Sequence, residues 1–137
     1  MTYGRLLSTK LVGEGRWTEA LAAATSEIAI QPAEPEAFFN RGQAHAGLHQ
    51  WEEAIDDYER ALRMDASDSA LDPETLDDEL FFALRTWADH EKGDPARAAR
   101  ILGRYAAILP EGRHTDDVTK WIDKWRGVEE VWYRDRA

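Results

Sequence analysis

Two histidines have the spacing that comes nearest to a metal site in this sequence. His45 and His49 are four residues apart, which places both imidazoles on one face of a helix, as in zinc sites built on helices. No glutamate lies between them, however, and His49 falls where the sequence predicts a turn between two helices. We therefore expect packed or surface histidines and no bound metal.

Motifs for covalent catalysis or phosphate binding are not found in the 137 residues. The chain has no cysteine, which excludes disulfides, thiol catalysis and cysteine-ligated metals. It shows no glycine-rich phosphate loop, no nucleophile elbow and no convincing set of serine, histidine and aspartate. Ser8 and Ser26 fall inside predicted helices, where packing explains them. The sequence predicts a protein that is not an enzyme and that needs no cofactor.

The charge is strongly acidic and concentrated in one block. With 17 basic and 27 acidic residues the net charge is −10, which disfavours a nucleic-acid backbone as the partner. We interpret the block as a solvated connector whose acids favour the start of the next helix. A docking patch for a basic partner and a calcium loop are the alternatives, although the D-x-D-x-D-G spacing is missing. The block contains Asp65, Asp68, Asp72, Glu74, Asp77, Asp78 and Glu79.

The cellular setting is predicted from what the chain lacks and from its composition. No apolar run is long enough to span a bilayer, and the first residues lack the basic-then-apolar pattern of a signal peptide. An apolar content of 43% argues against disorder. We expect a cytoplasmic protein, and the abundant alanine, arginine and tryptophan indicate a GC-rich bacterial source.

Helical spacing of apolar residues runs through the chain, whereas the two-residue alternation of strands does not occur. Positions i, i+3, i+4 and i+7 are apolar in seven segments, as amphipathic helices require. The fifth helix is expected to begin near Leu80, and the seventh to cover residues 115–135 with Thr115 as its N-cap. The first six apolar stripes begin near Leu6, Trp17, Phe38, Trp51, Leu80 and Ala98.

An internal repeat relates these helices. The segment 15–20 aligns with 49–54 at an offset of 34 residues, and both continue into a similar second half. A third copy begins at Gly93, 44 residues after the second. The extra ten residues correspond to part of the acidic block, near 69–78.

A 34-residue period with two helices per unit resembles the tetratricopeptide repeat. The copy at 35–68 is the clearest, because it alternates large and small residues as the family does. The resemblance implies an all-α fold, a right-handed α-solenoid of three helical hairpins with a C-terminal capping helix. The repeats would cover 1–34, 35–68 and about 79–112, and the capping helix would lie within 111–137. The matching residues of the central copy are Phe38, Gly42, Trp51, Ala54, Tyr58 and Ala61.

The resemblance also implies a concave groove, lined by the first helix of each pair, that binds a peptide. Some members hold a terminal carboxylate with Lys, Arg and Asn side chains, and Arg5 and Asn40 match two of those positions. Ordinary solvated helix surface is the alternative for these two residues. Leu80 and Leu84 stand where Lys and Arg would be needed, so we expect a mixed groove rather than a carboxylate site. Its predicted lining is Arg5, Thr9, Phe39, Asn40, Gln43, Leu80, Ala83, Leu84, Trp87 and His90.

Aromatic residues are concentrated in the last predicted helix. Trp121, Trp125 and Trp132 follow one apolar stripe. One interpretation is a cap that covers the apolar end of the third repeat. The other is an interface that pairs with a second copy of the chain or with a neighbour's groove, since aromatic surfaces are enriched at interfaces.

Two functions follow from these patterns. The first is a non-enzymatic adaptor that binds a peptide segment of another protein, one with basic residues if the acidic block contributes. In this groove Phe39 and Trp87 would hold apolar side chains, and Asn40 and Gln43 would bind the peptide backbone. The alternative is a dimeric chaperone or assembly factor that resembles the tetratricopeptide-repeat chaperones of bacterial secretion systems.

Overall fold

The computed structural model describes residues 6–65, 67 and 69–127, and every regular element among them is an α-helix. The all-α fold class is therefore confirmed for this part of the chain. Among the described helices, none combines the length and the apolar composition that crossing a membrane requires. The helices are α1 (Leu7–Gly13), α2 (Trp17–Ile30), α3 (Pro35–Gly47), α4 (Trp51–Leu62), α5 (Pro73–His90), α6 (Pro95–Ile108) and α7 (Thr115–Arg126).

Helix α5 begins at Pro73, earlier than the predicted start near Leu80. The Asp72 carboxylate accepts a hydrogen bond from the Glu74 N–H at 3.1 Å, and its carbonyl accepts one from the Leu76 N–H at 3.1 Å. An aspartate before the first turn, followed by proline, is a strong start signal for a helix. Much of the acidic block thus forms the first turns of α5 rather than a connector.

Helix α7 differs from the prediction at its start. Its N-cap is His114, and Thr115 is the first helical residue. The Thr115 hydroxyl donates instead to the Gly112 carbonyl at 2.8 Å. Gly127 ends the helix with a left-handed φ of 71°, a conformation that glycine adopts without strain. The predicted continuation to residue 135 lies outside the described residues.

The chain divides into two compact units between Leu76 and Asp77, inside α5. In the first unit α1 packs on α2 and α3, α2 packs on α3, and α3 packs on α4. The turns before α2 and α4 are alike, because Gly15 and His49 both have positive φ (71° and 59°). These two residues are 34 positions apart, so the sequence repeat is also a repeat of backbone conformation.

Small residues let α3 and α4 pack closely in the first unit. A Cβ atom on Gly42 would lie 2.7 Å from the ring of Tyr58, which is completely buried. Ala54 and Ala61 of α4 are also buried, at 0% and 2% exposure. The close approach explains why the repeat places a glycine and alanines opposite a large aromatic residue.

Tyr105 holds the second unit together. Its ring is fully buried, and its hydroxyl donates to the Asp77 carboxylate of α5. The same hydroxyl accepts the backbone N–H of His114 at 2.9 Å, while the Arg113 N–H donates to Asp77 at 3.0 Å. One tyrosine therefore joins α5, α6 and the loop that leads into α7. The buried apolar residues around it are Leu80, Phe81, Leu84, Ala88, Ala98, Ile101, Leu102 and Val118.

Candidate functional site

The predicted groove residues of α1 and the start of α3 form a buried polar network. Asn40 is only 3% exposed, and its amide nitrogen donates to Ser8 Oγ at 2.8 Å and to Thr9 Oγ1 at 2.9 Å. Asn40 is therefore a structural residue that fixes α1 on α3, and the prediction that it binds a peptide backbone is wrong for this arrangement. Arg5 lies outside the described residues.

Two carboxylates complete this network. The Thr9 hydroxyl donates to Glu36 at 2.8 Å, and the Ser8 hydroxyl and backbone N–H both donate to Glu27, the latter at 3.0 Å. Among the described residues, neither glutamate has a basic partner within ion-pair distance. This face of the first unit is thus acidic, the opposite of a site that holds a carboxylate.

Phe39 and Gln43 remain partly accessible one helical turn apart on α3. The Tyr58 hydroxyl donates to Gln43 Oε1 at 2.6 Å, and the Phe39 and Tyr58 ring centroids are 5.8 Å apart. The buried Tyr58 of α4 therefore fixes the positions of both side chains, through a hydrogen bond to Gln43 and a ring contact with Phe39. The Gln43 amide nitrogen donates to no described residue, so its two N–H groups can serve an incoming acceptor. Phe39 and Gln43 together form what we call the α3 surface.

A charged network that the sequence analysis missed joins α3 to α4. Arg41 donates two hydrogen bonds to Asp57, at 2.8 and 2.9 Å, and these bonds raise the pKa of Arg41. His45 Nε2 lies 3.7 Å from the same carboxylate, and its Nδ1 lies 2.7 Å from Gln50 Oε1. Arg41 and Asp57 are 16 residues apart on different helices, so no local spacing in the sequence indicates the pair.

The two histidines of the predicted metal pattern do not share a site. His45 contacts Asp57 and Gln50, whereas His49 lies in the turn and stacks on Trp51 with ring centroids 5.3 Å apart. Within the described ranges, no group of three histidine, aspartate or glutamate side chains is placed to hold a metal ion.

Three predicted groove residues of the second unit belong to its core. Leu80 and Leu84 are fully buried and Ala83 is 6% exposed, so their assignment to an accessible groove lining is wrong. Trp87 is partly exposed with the Arg104 guanidinium 5.7 Å from its ring centroid, and His90 is exposed at the end of α5. Only Trp87 and His90 of this set can meet a partner.

His114 is the most strongly connected histidine, and the sequence analysis assigned it no role. Its ring stacks on Phe81 with centroids 4.3 Å apart, Nε2 lies 2.7 Å from Asp78 and Nδ1 lies 3.2 Å from Asp117. Burial disfavours the charged imidazole, but the hydrogen bonds to Asp78 and Asp117 outweigh it and raise the pKa of His114. The hydrogen bond from His114 in turn lowers the pKa of Asp78.

Aromatic and basic side chains of α5 and α7 lie together in the second unit. The Arg85 guanidinium is 6.0 Å from the Phe82 ring centroid and 5.2 Å from that of Trp121. Lys124 Nζ is 4.9 Å from the Trp121 ring, and the Trp121 and Trp125 rings are 5.6 Å apart. Trp132 lies outside the described residues. The sequence does contain a signal for this cluster, because Phe82–Arg85 and Trp121–Lys124 are both i, i+3 pairs on helices.

A depression of about 470 Å³ lies between α1 and α2. Leu7 is 57% exposed at its edge. Its lining is Leu7, Lys10, Leu11, Arg16, Glu19, Ala22, Ala23 and Ser26.

Comparison with known proteins gives two matches. The sequence profile of the tetratricopeptide repeat matches residues 35–68, which contain α3, α4 and the α3 surface. The chain is also similar to the DnaJ homolog subfamily C member 7 homolog of Schizosaccharomyces pombe, with 33% identity over 85 residues. Those residues are 62% of this chain but only 18% of that relative, so the similarity covers less than a fifth of the relative's length.

Proposed function

We propose that the chain is a non-enzymatic adaptor that binds a peptide segment of a partner protein, because residues 35–68 match the tetratricopeptide repeat and this repeat is a protein-interaction module. The α3 surface is the proposed contact in the first unit. Trp87 and His90 are the proposed contacts in the second. The setting we propose is the bacterial cytoplasm, as the composition of the chain suggests.

The observation that carries this proposal is the pairing of Phe39 with Gln43 on the matched repeat. Phe39 offers a partly exposed ring to a large apolar side chain, and Gln43 offers amide N–H groups to a peptide carbonyl. Tyr58 holds both, so neither side chain loses much freedom on binding. Preorganised aromatic residues of this kind supply most of the binding energy at protein interfaces.

The charge of the first unit favours a partner segment with basic residues. Glu36 accepts a hydrogen bond from Thr9 and Glu27 accepts one from Ser8, and among the described residues no cation pairs with either carboxylate. Opposite charge steers association and excludes partners of like charge. The same carboxylates disfavour an acidic peptide terminus on this face.

Selection from a randomised 12-residue peptide library tests the proposal. We expect the full chain to enrich peptides with a large apolar residue beside Lys or Arg. Phe39→Ala should weaken the selected peptides about tenfold or more, the loss of roughly 1.4 kcal/mol or above that removal of a central aromatic contact produces. Ile30→Ala is the matched control, because Ile30 is 84% exposed and belongs to α2.

The outcome separates binding on the α3 surface from binding elsewhere. Circular dichroism and thermal unfolding of both variants establish that the fold is retained. Equal affinity of the selected peptides for Phe39→Ala and the unchanged chain would contradict the assignment of this surface. Failure to enrich any peptide would contradict peptide binding itself.

A further inference from the structure

We propose that α5 and α7 carry a second binding surface, which accepts an acidic segment of a partner protein that also contains a large apolar residue. The aromatic–cationic surface, as we call it, consists of Phe82, Arg85, Trp121, Lys124 and Trp125. The inference depends on the proposed role in protein binding, but it uses none of the residues of the α3 surface.

Arg85 and Lys124 are two cations of the second unit that contact aromatic rings. Across the described residues, neither forms a hydrogen bond or an ion pair with a carboxylate; each lies against aromatic rings. Cations of the described residues that pair with carboxylates include Arg16, Arg41, Arg63, Lys92, Arg97 and Arg113.

The ring contacts hold the two cations while leaving their hydrogen-bond donors available. A cation on a ring face is attracted by the ring quadrupole and needs no hydrogen bond to stay there. A guanidinium has five N–H donors and an ammonium has three. Arg85 can therefore bind a carboxylate through two parallel hydrogen bonds, and Lys124 can bind a second one.

Phe82 gives the surface its apolar component. It is 44% exposed, one of the large apolar residues of the described chain that remain most accessible to solvent. Its ring lies next to the Arg85 guanidinium, so a carboxylate and an apolar side chain on neighbouring residues of one peptide can be bound together. A large aromatic contact beside an arginine is a frequent composition of binding hot spots.

A short peptide segment fits the charge distribution better than a bilayer or a second copy does. At physiological ionic strength, screening limits electrostatic attraction to about 8 Å, so a short segment is attracted mainly by Arg85 and Lys124. Helix α7 itself carries acids, such as the exposed Asp116, which an anionic bilayer would also meet. A second copy brings another net charge of −10, which opposes association.

Peptide selection on the full-length Phe39→Ala chain tests the inference without interference from the α3 surface. We expect enrichment of peptides in which Asp or Glu is close to a large apolar residue. Fluorescence anisotropy should show about tenfold weaker binding of these peptides to the Arg85→Gln, Lys124→Gln double variant, and about fivefold weaker binding to Phe82→Ala. Higher salt should weaken binding to the unchanged chain more than to the double variant.

Lys10→Gln is the matched control, because Lys10 is an exposed cation of α1 in the first unit. It should leave the affinity unchanged. The inference is overturned if the enriched peptides are not acidic, or if they bind the double variant as tightly as the unchanged chain. It is also overturned if sedimentation shows a dimer that the double variant dissociates, or if phosphatidylserine vesicles bind the chain through Arg85. If the Phe39→Ala chain enriches no peptide at all, the inference is overturned, whereas the proposed α3 contact is not.

Discussion

Replacement of Gly42 by alanine tests the close packing of α3 on α4. A Cβ atom at this position would lie 2.7 and 2.8 Å from two carbons of the Tyr58 ring and 3.2 Å from the Ala54 carbonyl oxygen. Ordinary contacts begin at 3.4 Å, so the ring would have to move by about 0.7 Å. Tyr58 is fully buried and bonded to Gln43, which leaves it little room to move.

The magnitude follows from two opposing effects. Overpacking of this kind costs about 1–3 kcal/mol of unfolding free energy. Alanine in a helix interior gains about 0.5–1 kcal/mol over glycine. Gly42→Ala should therefore lower the stability of the first unit, with a net loss of up to about 2.5 kcal/mol.

Gly103→Ala is the matched control, since Gly103 lies inside α6 and nothing is within 4 Å of its added Cβ. It should show the helix-propensity gain alone and raise stability by about 0.5–1 kcal/mol. Urea unfolding followed by circular dichroism measures both variants against the unchanged chain. The two changes in stability should differ by about 1–3 kcal/mol. Equal effects of the two substitutions would refute the steric reasoning.

Two further predictions concern the polar contacts within each unit. Asn40→Ala should destabilise the first unit by about 1–3 kcal/mol, because the hydroxyls of Ser8 and Thr9 lose their shared donor. Urea unfolding measures this loss, and an unchanged urea midpoint would contradict the prediction. His114 has a raised pKa, so its contribution to stability is complete below about pH 6.5 and is lost as the pH rises through the higher folded-state value. The urea midpoint of the second unit should therefore fall as the pH is raised above about 6.5, and the fall should be absent in His114→Gln.

The sequence was sufficient to predict the parts of the fold that depend on local spacing. The 34-residue offset predicts that Gly15 and His49 occupy equivalent turns, and both have the same left-handed backbone. The pairing of Gly42 with a large residue of the next helix is likewise a property of the repeat. Such features depend on a few neighbouring residues, so a single sequence is enough to indicate them.

The site was less predictable, because exposure depends on how helices are rotated against each other. Leu80 and Leu84 lie on the apolar stripe of α5 and also align with groove positions of the repeat. Both leucines are placed in the core, because burial of a leucine side chain stabilises the fold by about 1.5–3 kcal/mol. Asn40 illustrates the same limit, because its partners Ser8 and Thr9 are 31–32 residues away and carry no sequence pattern that pairs them.

The carboxylate of Asp77 has a practical consequence for the design of shorter fragments. It is 8% exposed and depends on the Tyr105 hydroxyl and the Arg113 N–H as its donors. Truncation at Pro110, within the predicted third repeat, would remove Arg113 together with the N–H of His114 that the tyrosine accepts. An expression fragment of the second unit should therefore extend at least to Gly127, so that this aspartate retains both donors and α7 keeps its terminating glycine.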